Sequence, residues 1–307
     1  MNMRKKKTRP VHAGLNSQLI RRSMQRWFPL FLLPTFIAFC IGFLWPFLQG
    51  IYLSFFQFKT LDNMNFAGLQ NYLKAFGDAS FVSAFWQTAK VAVVSIILIN
   101  LFAFAVAYAL TRGIRGANLF RSVFFMPNLI GGIVLGYIWN TIFAGVLRGY
   151  NTALALNSTL GFWGLIIVLC WQQVGYMMII YIAGLQSVSE DMIEAARIDG
   201  ANSWHVLRHI TLPTVMPSIT ICTFLTLTNS FKLFDQNLVL TNGAPMVFDA
   251  GQQIYTTEML ALNIYRTFTM NWKWQGVGQA KAVMFFILVA GISLFQLSAT
   301  RSREVQQ

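Results

Sequence analysis

Six apolar stretches, each long enough to cross a lipid bilayer, dominate this sequence of 307 residues. A membrane-spanning helix needs about 20 consecutive, mostly apolar residues. Charged residues make up only 11% of the chain, whereas a soluble domain carries about 25%. The sequence therefore excludes a soluble globule and a disordered chain, and it predicts an all-α membrane protein with six transmembrane helices. The predicted spans are residues 28–48, 91–110, 122–143, 162–185, 215–234 and 277–297.

Basic residues are concentrated before the first span and in every second loop. Eight of the 23 lysines and arginines precede the first span, and the loops 111–121 and 186–213 together with the C-terminal tail bring the number to 15. Because Lys and Arg are retained in cytoplasmic loops, both termini are predicted to lie inside. A basic tail can also bind nucleic acid. Beside an apolar span, however, a cytoplasmic anchor is the favoured interpretation, so no nucleic acid partner is expected.

The chain lacks the residue patterns of an enzyme or a nucleotide-binding protein. No G-x-x-x-x-G-K-[ST] phosphate loop occurs, so ATP is not expected to bind here in that way. Cys40, Cys170 and Cys222 lie in apolar stretches without disulfide or metal spacing. His205 and His209 are four residues apart, but zinc needs more ligands than these two. We therefore expect no catalytic residue, no metal and no cofactor on this chain.

The inner loop 186–213 is polar and charged, and it predicts two short helices. Ser187-x-x-Glu190 matches a capping box, which would open the first helix. Gly200 is well placed to end that helix. Ser203 would cap the second helix, and the Leu-Pro pair before the fifth span would stop it.

Helices of about ten residues are marginal in water on their own, so these two must dock on something. Met192, Ala195 and Ala196 share one face of the first helix, and small side chains allow another backbone to approach closely. One interpretation is that the loop packs on its own neighbouring loops. The other is that it couples the membrane domain to a cytoplasmic partner.

The same loop carries a family resemblance. Glu194-Ala195-Ala196, Gly200 and Ile210-x-Leu212-Pro213 match the EAA signature of membrane subunits of binding-protein-dependent ABC importers. Residues 197–201 and 209–213 resemble the carbohydrate branch, which includes maltose-type and glycerol-3-phosphate-type permeases, and residues 66–72 resemble that branch's F-x-G-x-x-N-Y segment. The predicted coupling residues are Glu194, Ala195, Ala196, Asp199, Gly200, Ile210, Leu212 and Pro213.

The resemblance implies a type I ABC importer transmembrane fold and a set of partners. The EAA loop would seat in a groove of an ATP-hydrolysing subunit dimer, which would bind ATP and Mg²⁺. An extracytoplasmic solute-binding protein would deliver the carbohydrate, and a second, homologous permease would complete the pore. This chain resembles the first permease of such a pair, in a prokaryotic plasma membrane.

The predicted organisation has four segments. Residues 1–27 form a basic cytoplasmic tail, and residues 28–85 contain the first span and an external loop. Residues 86–298 form the transmembrane core with spans two to six, and residues 299–307 form a second cytoplasmic tail. The external loop 235–276 is longer than the family pattern suggests, with residues 249–259 as the extra part.

Polar residues inside the spans are candidates for the substrate path, because such groups usually face a bundle interior or a cavity. We select Gln172, Gln173, Tyr176 and Asn229, since amides and an aromatic ring suit the hydroxyls and the apolar face of a sugar. The alternative is that these residues form hydrogen bonds between helices. In the third span, Gly132-x-x-x-Gly136 would allow close helix packing.

The sequence leaves alternatives open for the transported substrate and for the energy source of transport. Glycerol-3-phosphate or another phosphorylated polyol would favour basic pore residues, and Lys232 and Lys281 are the candidates. Lys281 would either extend to the outer interface or line the path. An ion-coupled transporter would need intramembrane acidic residues, and the six predicted spans contain no Asp or Glu.

Overall fold

The computed structural model describes residues 27–60, 63–249 and 251–301, and this part of the chain is mainly helical. The predicted tail 1–27, apart from its last residue, and most of the predicted tail 299–307 lie outside the described residues. The chain divides into two units, Met1–Leu53 and Ser54–Gln307.

The first unit contains one apolar helix, α1 (Trp27–Leu53), which is long enough to span a bilayer. It corresponds to the predicted span 28–48. A π-helical segment, Cys40–Leu44, lies just before Pro46, and the Trp45 amide donates to the Cys40 carbonyl. Proline has no amide hydrogen to donate, so the local helical pattern is interrupted there.

The second unit contains most of the helices. They are α2 (Gln70–Phe76), α3 (Ala79–Leu110), α4 (Ala117–Phe125), α5 (Gly132–Arg148), α6 (Ser158–Gln186), α7 (Glu190–Ile198), α8 (Ser203–Thr214), α9 (Met216–Phe231), α10 (Asp235–Leu240), α11 (Leu260–Met270) and α12 (Gln275–Arg301). The long helices α3 and α6 pack together at the centre of the unit. Ile99 and Ala103 of α3 and Leu165 and Met177 of α6 are buried in one apolar cluster.

One predicted span is bent, because Ala117–Leu129 and Gly132–Arg148 of the third span meet at 101°. A second bend of 66° separates Ser203–Thr214 from Met216–Phe231, where the second loop helix was predicted to end before the fifth span. Four described helices are individually long and apolar enough to span, and the number rises to six if each bent pair is counted as one span.

Proline and glycine explain both bends. In the third span, Pro127 lies in a 3-10 turn, and Ile130 and Gly131 are extended before α5 begins at a second glycine. Between α8 and α9, Pro213 and Pro217 lie on either side of the break at Val215. Each proline removes one backbone donor, so the helix cannot continue straight through these positions.

The second span begins 12 residues earlier than predicted, since α3 starts at Ala79 rather than at residue 91. Asp78 caps this helix, and its Oδ1 accepts a hydrogen bond of 3.0 Å from the Ser80 amide. An Asp at this position satisfies an amide that would otherwise have no partner. The extension carries α3 beyond the apolar stretch into the external loop.

Two small hairpins depart from the all-α prediction. β1 (Phe56–Thr60) pairs with β2 (Asn63–Phe66), and β3 (Met246–Asp249) pairs with β4 (Gln252–Tyr255), both antiparallel. Both lie in predicted external loops, where backbone groups can also reach water. The long loop 235–276 also contains the short helices α10 and α11.

The glycine pair of the third span packs closely, as predicted. A Cβ added to Gly132 would lie 2.6 Å from Asp235 Oδ2, and one added to Gly136 would lie 2.9 Å from Val239 Cβ. Asn140, one turn further along α5, donates a hydrogen bond of 2.8 Å to the Val239 carbonyl. The two glycines therefore allow α10 to approach α5 closely, and the Asn140 side chain bonds the two helices to each other.

Candidate coupling loop and translocation site

The loop that carries the EAA signature forms two helices, as predicted, and Gly200 ends the first of them. Gly200 has a φ of +84°, in the left-handed region that glycine adopts without steric cost. The Ala201 amide donates to the Ala196 carbonyl (2.9 Å), and the Gly200 amide donates to the Arg197 carbonyl (3.0 Å). These two bonds satisfy carbonyls at the helix end.

Both predicted helix starts are wrong in their capping residue. Ser187 is the C-cap of α6, and its Oγ donates a hydrogen bond of 2.8 Å to the Gly184 carbonyl. Ser189 takes the N-cap position of α7 without a side-chain bond. For α8, Asn202 is the N-cap, and its Oδ1 accepts from the His205 amide at 2.9 Å. The span before the loop extends to Gln186, so Ser187 is still part of its last turn.

The surface of α7 that carries the signature is exposed. Glu194, Ala195 and Asp199 are exposed, and Ala196 is half-buried. Beside them, Ile198 is 86% exposed and Trp204 is 62% exposed. Exposed large apolar groups beside charged ones mark a surface that a partner covers. Sequence reasoning selected Met192 and the alanines for this face and missed Ile198, which follows Glu194 by one helical turn.

The opposite face of α7 lines a cavity of about 840 Å³. Ile193 and Arg197 line it from α7, and Tyr108 and Arg112 line it from the end of α3. The 111–121 loop and the EAA loop therefore lie at the same end of the helical bundle. This agrees with the topology predicted from their basic residues.

The second half of the signature connects α7 with α8. Ile210 and Pro213 line a further cavity of about 500 Å³ together with Met192 of α7. Leu212 is half-buried beside them. Residues 207–211 form a π-helical segment within α8, which places Leu212 and Pro213 directly before the bend into α9.

Three of the four candidate substrate residues form hydrogen bonds between helices. Asn229 Nδ2 donates to Gln173 Oε1 at 3.2 Å, which links α9 with α6. Gln172 Oε1 accepts from Gln236 Nε2 at 2.7 Å. Tyr176 is half-buried against the main apolar cluster. The structure thus brings Gln173 and Asn229 together and supports the interhelical alternative for the amides.

Two polar contacts in the interior involve residues that sequence reasoning did not select for this site. Gln236 of α10 is buried and reaches Gln172. Tyr181 is buried in α6, and its hydroxyl donates to Asn100 Oδ1 of α3 at 2.6 Å. Gln236 follows the predicted fifth span, so a search limited to the spans could not find it.

Both expectations for Lys281 are wrong. Its side chain is 0% exposed, so it neither extends to an interface nor lines a path. Lys281 Nζ lies 2.6 Å from Asp78 Oδ2 and also donates to Asn263 Oδ1 (2.9 Å) and Thr267 Oγ1 (2.8 Å). The fold brings the cap of α3 and one face of α11 against α12, and their oxygens surround the ammonium group.

A second ion pair adjoins this one in the external loop. Arg266 Nη1 lies 2.6 Å from Glu258 Oε1, and the Glu258 carboxylate also accepts from Asn263 (2.8 Å) and Ser80 (3.2 Å). Burial raises the pKa of the Glu258 carboxyl, and the Asn263 amide and the Arg266 charge oppose that shift. The Arg266 guanidinium lies 3.8 Å from the centre of the Tyr255 ring. The network ties both hairpin-bearing loops to the outer end of the bundle.

Known proteins resemble this chain over nearly its whole length. A probable starch degradation products transport system permease from Thermoanaerobacterium thermosulfurigenes is 44% identical, and the match covers 91% of this chain and 96% of that protein. A multiple sugar-binding transport system permease from Streptococcus mutans is 29% identical over 93% of this chain and 99% of its own length.

Solved structures share the fold. A chain of a bacterial ABC transporter that imports the acidic polysaccharide alginate superimposes with a TM-score of 0.75 at 18% identity, covering 92% of this chain and 98% of that one. Residues 99–304, which contain the EAA loop and the bend that follows it, match the family described as binding-protein-dependent transport system inner membrane component. The chain is therefore a multi-pass membrane protein that belongs to this family of transport components.

Proposed function

We propose that this chain is one of two homologous permease subunits of an ATP-driven importer that carries a carbohydrate across a prokaryotic plasma membrane. Its relatives support the cargo, because they are named for starch degradation products and for multiple sugars. The observation that carries the coupling role is the exposed surface of Glu194, Ile198 and Trp204 at one end of the bundle.

This surface receives a separate ATPase dimer, which binds ATP and Mg²⁺. The loop is continuous with α6 at one end and, through the 66° bend, with α9 at the other. A rigid-body movement of the loop therefore moves both helices. Gln173 and Asn229, whose amides are bonded to each other, lie on these two helices. Closure of the ATPase thus acts directly on that pair.

The substrate path includes Gln172, Gln173, Tyr176 and Asn229. Amide pairs can exchange a bond to each other for bonds to sugar hydroxyls when the helices separate, and Tyr176 offers a ring beside them. The bound sugar shifts the access equilibrium only through its different affinity for the two states. An extracytoplasmic solute-binding protein supplies the sugar to the outer side.

A phosphorylated polyol is the second candidate for the cargo, and one residue favours it. Lys232 follows the last turn of α9 and is exposed, without an ion pair among the described residues. Lys281, the other basic candidate, is already neutralised by Asp78. One free ammonium group is weak support for a phosphorylated cargo. The names of the sugar-permease relatives support a neutral carbohydrate more strongly.

Co-purification tests the coupling role. The tagged chain is purified in mild detergent from cells that express its partners, and the bound proteins are identified by mass spectrometry. We expect a phosphate-loop ATPase and a second EAA permease. Ile198→Ser removes an apolar contact and should lower the ATPase yield about tenfold or more, since burying such a side chain contributes about 1.5–3 kcal/mol.

Ile114→Ser is the matched control, because Ile114 is also an exposed isoleucine on the neighbouring inner loop. It should leave the ATPase yield unchanged. An ATPase yield that is equal in wild type and Ile198→Ser, or a chain that is stable and active alone, would overturn the coupling proposal.

A further inference from the structure

A cleft of about 530 Å³ opens at the predicted outer ends of α3 and α6. Four of its lining residues follow each other at helical spacing on α3, so they share one face of that helix. The remaining walls come from the first turns of α6 and from the loop after β4. The lining residues used below are Ser83, Trp86, Gln87, Lys90, Thr159 and Phe162.

Gln87 is the first indication that this cleft binds a ligand. Its side chain lines the cleft and is only 5% exposed, yet it forms no hydrogen bond within the described residues. The buried amides of the interior differ from it, because Gln172, Gln173 and Asn237 each have a partner. The amide atoms of Gln87 are not among the fully buried unpaired atoms of the described residues, so they reach the space of the cleft, where water or an outside partner can bond to them.

Lys90 is the second indication, because it argues that the cleft is not covered by lipid. Its ammonium group is exposed and has no ion pair among the described residues. Charged and unpaired polar groups are costly against hydrocarbon, so they face water or a polar ligand. The hydroxyls of Ser83 and Thr159 add two more polar groups to the same walls.

Aromatic rings complete the chemistry of a sugar site. Trp86 is 61% exposed at the rim, and Phe162 is half-buried across from it on α6. A carbohydrate presents hydroxyls, which amides, hydroxyls and an ammonium group can bind, and an apolar ring face, which stacks on an aromatic side chain. A concave site with aromatic walls and a few polar groups is the usual form of a small-molecule site.

We propose that this cleft is an outer subsite for the carbohydrate, occupied after release from the binding protein and before passage to the interior. The inference rests on the proposed function. Gln87 and Lys90 bind hydroxyls, and Trp86 stacks on the sugar ring. The binding protein sets the affinity for free sugar. The subsite therefore raises a different quantity, the number of released sugar molecules that are imported for each ATP hydrolysed.

The test uses the whole complex in proteoliposomes with a solute-binding protein and labelled maltotriose. Sugar imported per ATP hydrolysed is measured for Gln87→Leu and for Trp86→Ala. We expect this ratio to fall about threefold to tenfold in each variant, as for the loss of one hydrogen bond or ring contact. Stimulation of ATP hydrolysis by the loaded binding protein should stay at the wild-type level.

Phe102→Ala is the matched control, because Phe102 is an exposed ring of α3 that does not line the cleft. It should leave the ratio unchanged. Ser83→Cys reports directly on occupancy of the cleft, and it leaves the Trp86 ring and the Gln87 amide in place. A membrane-impermeant maleimide should label this thiol more slowly when maltotriose and the binding protein are added together than with either one alone.

Each contrary result has a different meaning. A wild-type complex that imports neither maltotriose nor other sugars overturns the proposed function itself, and the subsite with it. A working wild type with unchanged ratios in both variants overturns the subsite alone. A higher half-stimulating concentration of binding protein in the variants identifies the cleft as a protein docking surface. Protection of Ser83→Cys by permease assembly without sugar identifies it as a permease–permease interface.

Discussion

The ammonium group of Lys281 lies 2.6 Å from the carboxylate of Asp78, although the two residues are 203 positions apart in the sequence. Asp78 caps the outer end of α3, and Lys281 lies in the second turn of α12. The pair therefore joins the outer ends of two spanning helices. It also explains why a fully buried lysine is compatible with a membrane helix: its charge is neutralised, and its three donors are all used.

Removing the lysine should be strongly destabilising. Lys281→Met leaves the Asp78 carboxylate without its partner, and breaking a buried pair in this way costs about 3–5 kcal/mol. Thermal unfolding in detergent should show a lower midpoint for Lys281→Met and a partial recovery in Asp78→Asn/Lys281→Met. Lys273→Met is the control, since Lys273 is exposed. Equal midpoints for Lys281→Met and Lys273→Met would contradict the role of the pair.

The contact between α5 and α10 predicts a difference between two glycines of one helix. A side chain at Gly136 would overlap Val239, whereas one at Gly145 would meet no atom within 4 Å. Gly136→Val should therefore destabilise the protein by about 1–3 kcal/mol, as overpacking does. Gly145→Ala should be neutral or slightly stabilising, because alanine is the better helix former. Unfolding midpoints that rank the two variants in the opposite order would refute the packing.

The raised pKa of Glu258 predicts a pH dependence of stability. Its ordinary pKa is 4.5, and burial raises the pKa in the folded protein. The stability that it contributes is fully present below pH 4.5 and is lost as the pH rises through the folded-state value. Glu258→Gln stays neutral throughout. The free energy of unfolding of wild type minus that of Glu258→Gln should therefore decrease as the pH rises above 4.5. A difference that increases with pH would show that the Arg266 ion pair outweighs burial.

The bond between Gln173 and Asn229 predicts coupled effects on stability and on uptake. Interhelical hydrogen bonds in membranes contribute about 0.6 kcal/mol on average, so a double-mutant cycle with Gln173→Ala and Asn229→Ala should give a coupling energy of that size. As part of the substrate path, both variants should also slow sugar uptake in the assembled complex. If uptake is unchanged while the complex stays assembled, the pair is structural only.

The spanning helices could be predicted because the length of an apolar stretch is a local property of the sequence. The basic residues of the loops then predict the orientation. The sequence does not predict the bend in the third span, since residues 122–143 remain apolar across the break and only Pro127 and the glycines indicate it. The break before the fifth span is predicted, because the Leu-Pro pair stops the preceding helix. The EAA loop was identified by its residues, and Gly200 was placed correctly because a left-handed helix end is a local requirement.

The tertiary partners could not be read from the sequence. The sequence alone makes Lys281 a candidate for an interface or a pore, whereas its partners Asp78, Asn263 and Thr267 lie on other elements. Sequence reasoning also missed that Ile198 is exposed. An isoleucine in an amphipathic helix is usually buried, and only the packing of α7 on its other face leaves it exposed.

Stimulation of ATP hydrolysis by the sugar-loaded binding protein tests the central claim most directly. The complex is reconstituted in proteoliposomes with wild type, Glu194→Ala or Asp191→Ala, both of which remove an exposed carboxylate from α7. We predict stimulation and uptake in wild type and Asp191→Ala, and loss of both in Glu194→Ala with the fold intact. Undiminished stimulation in Glu194→Ala, or sugar uptake without ATP, would contradict the account.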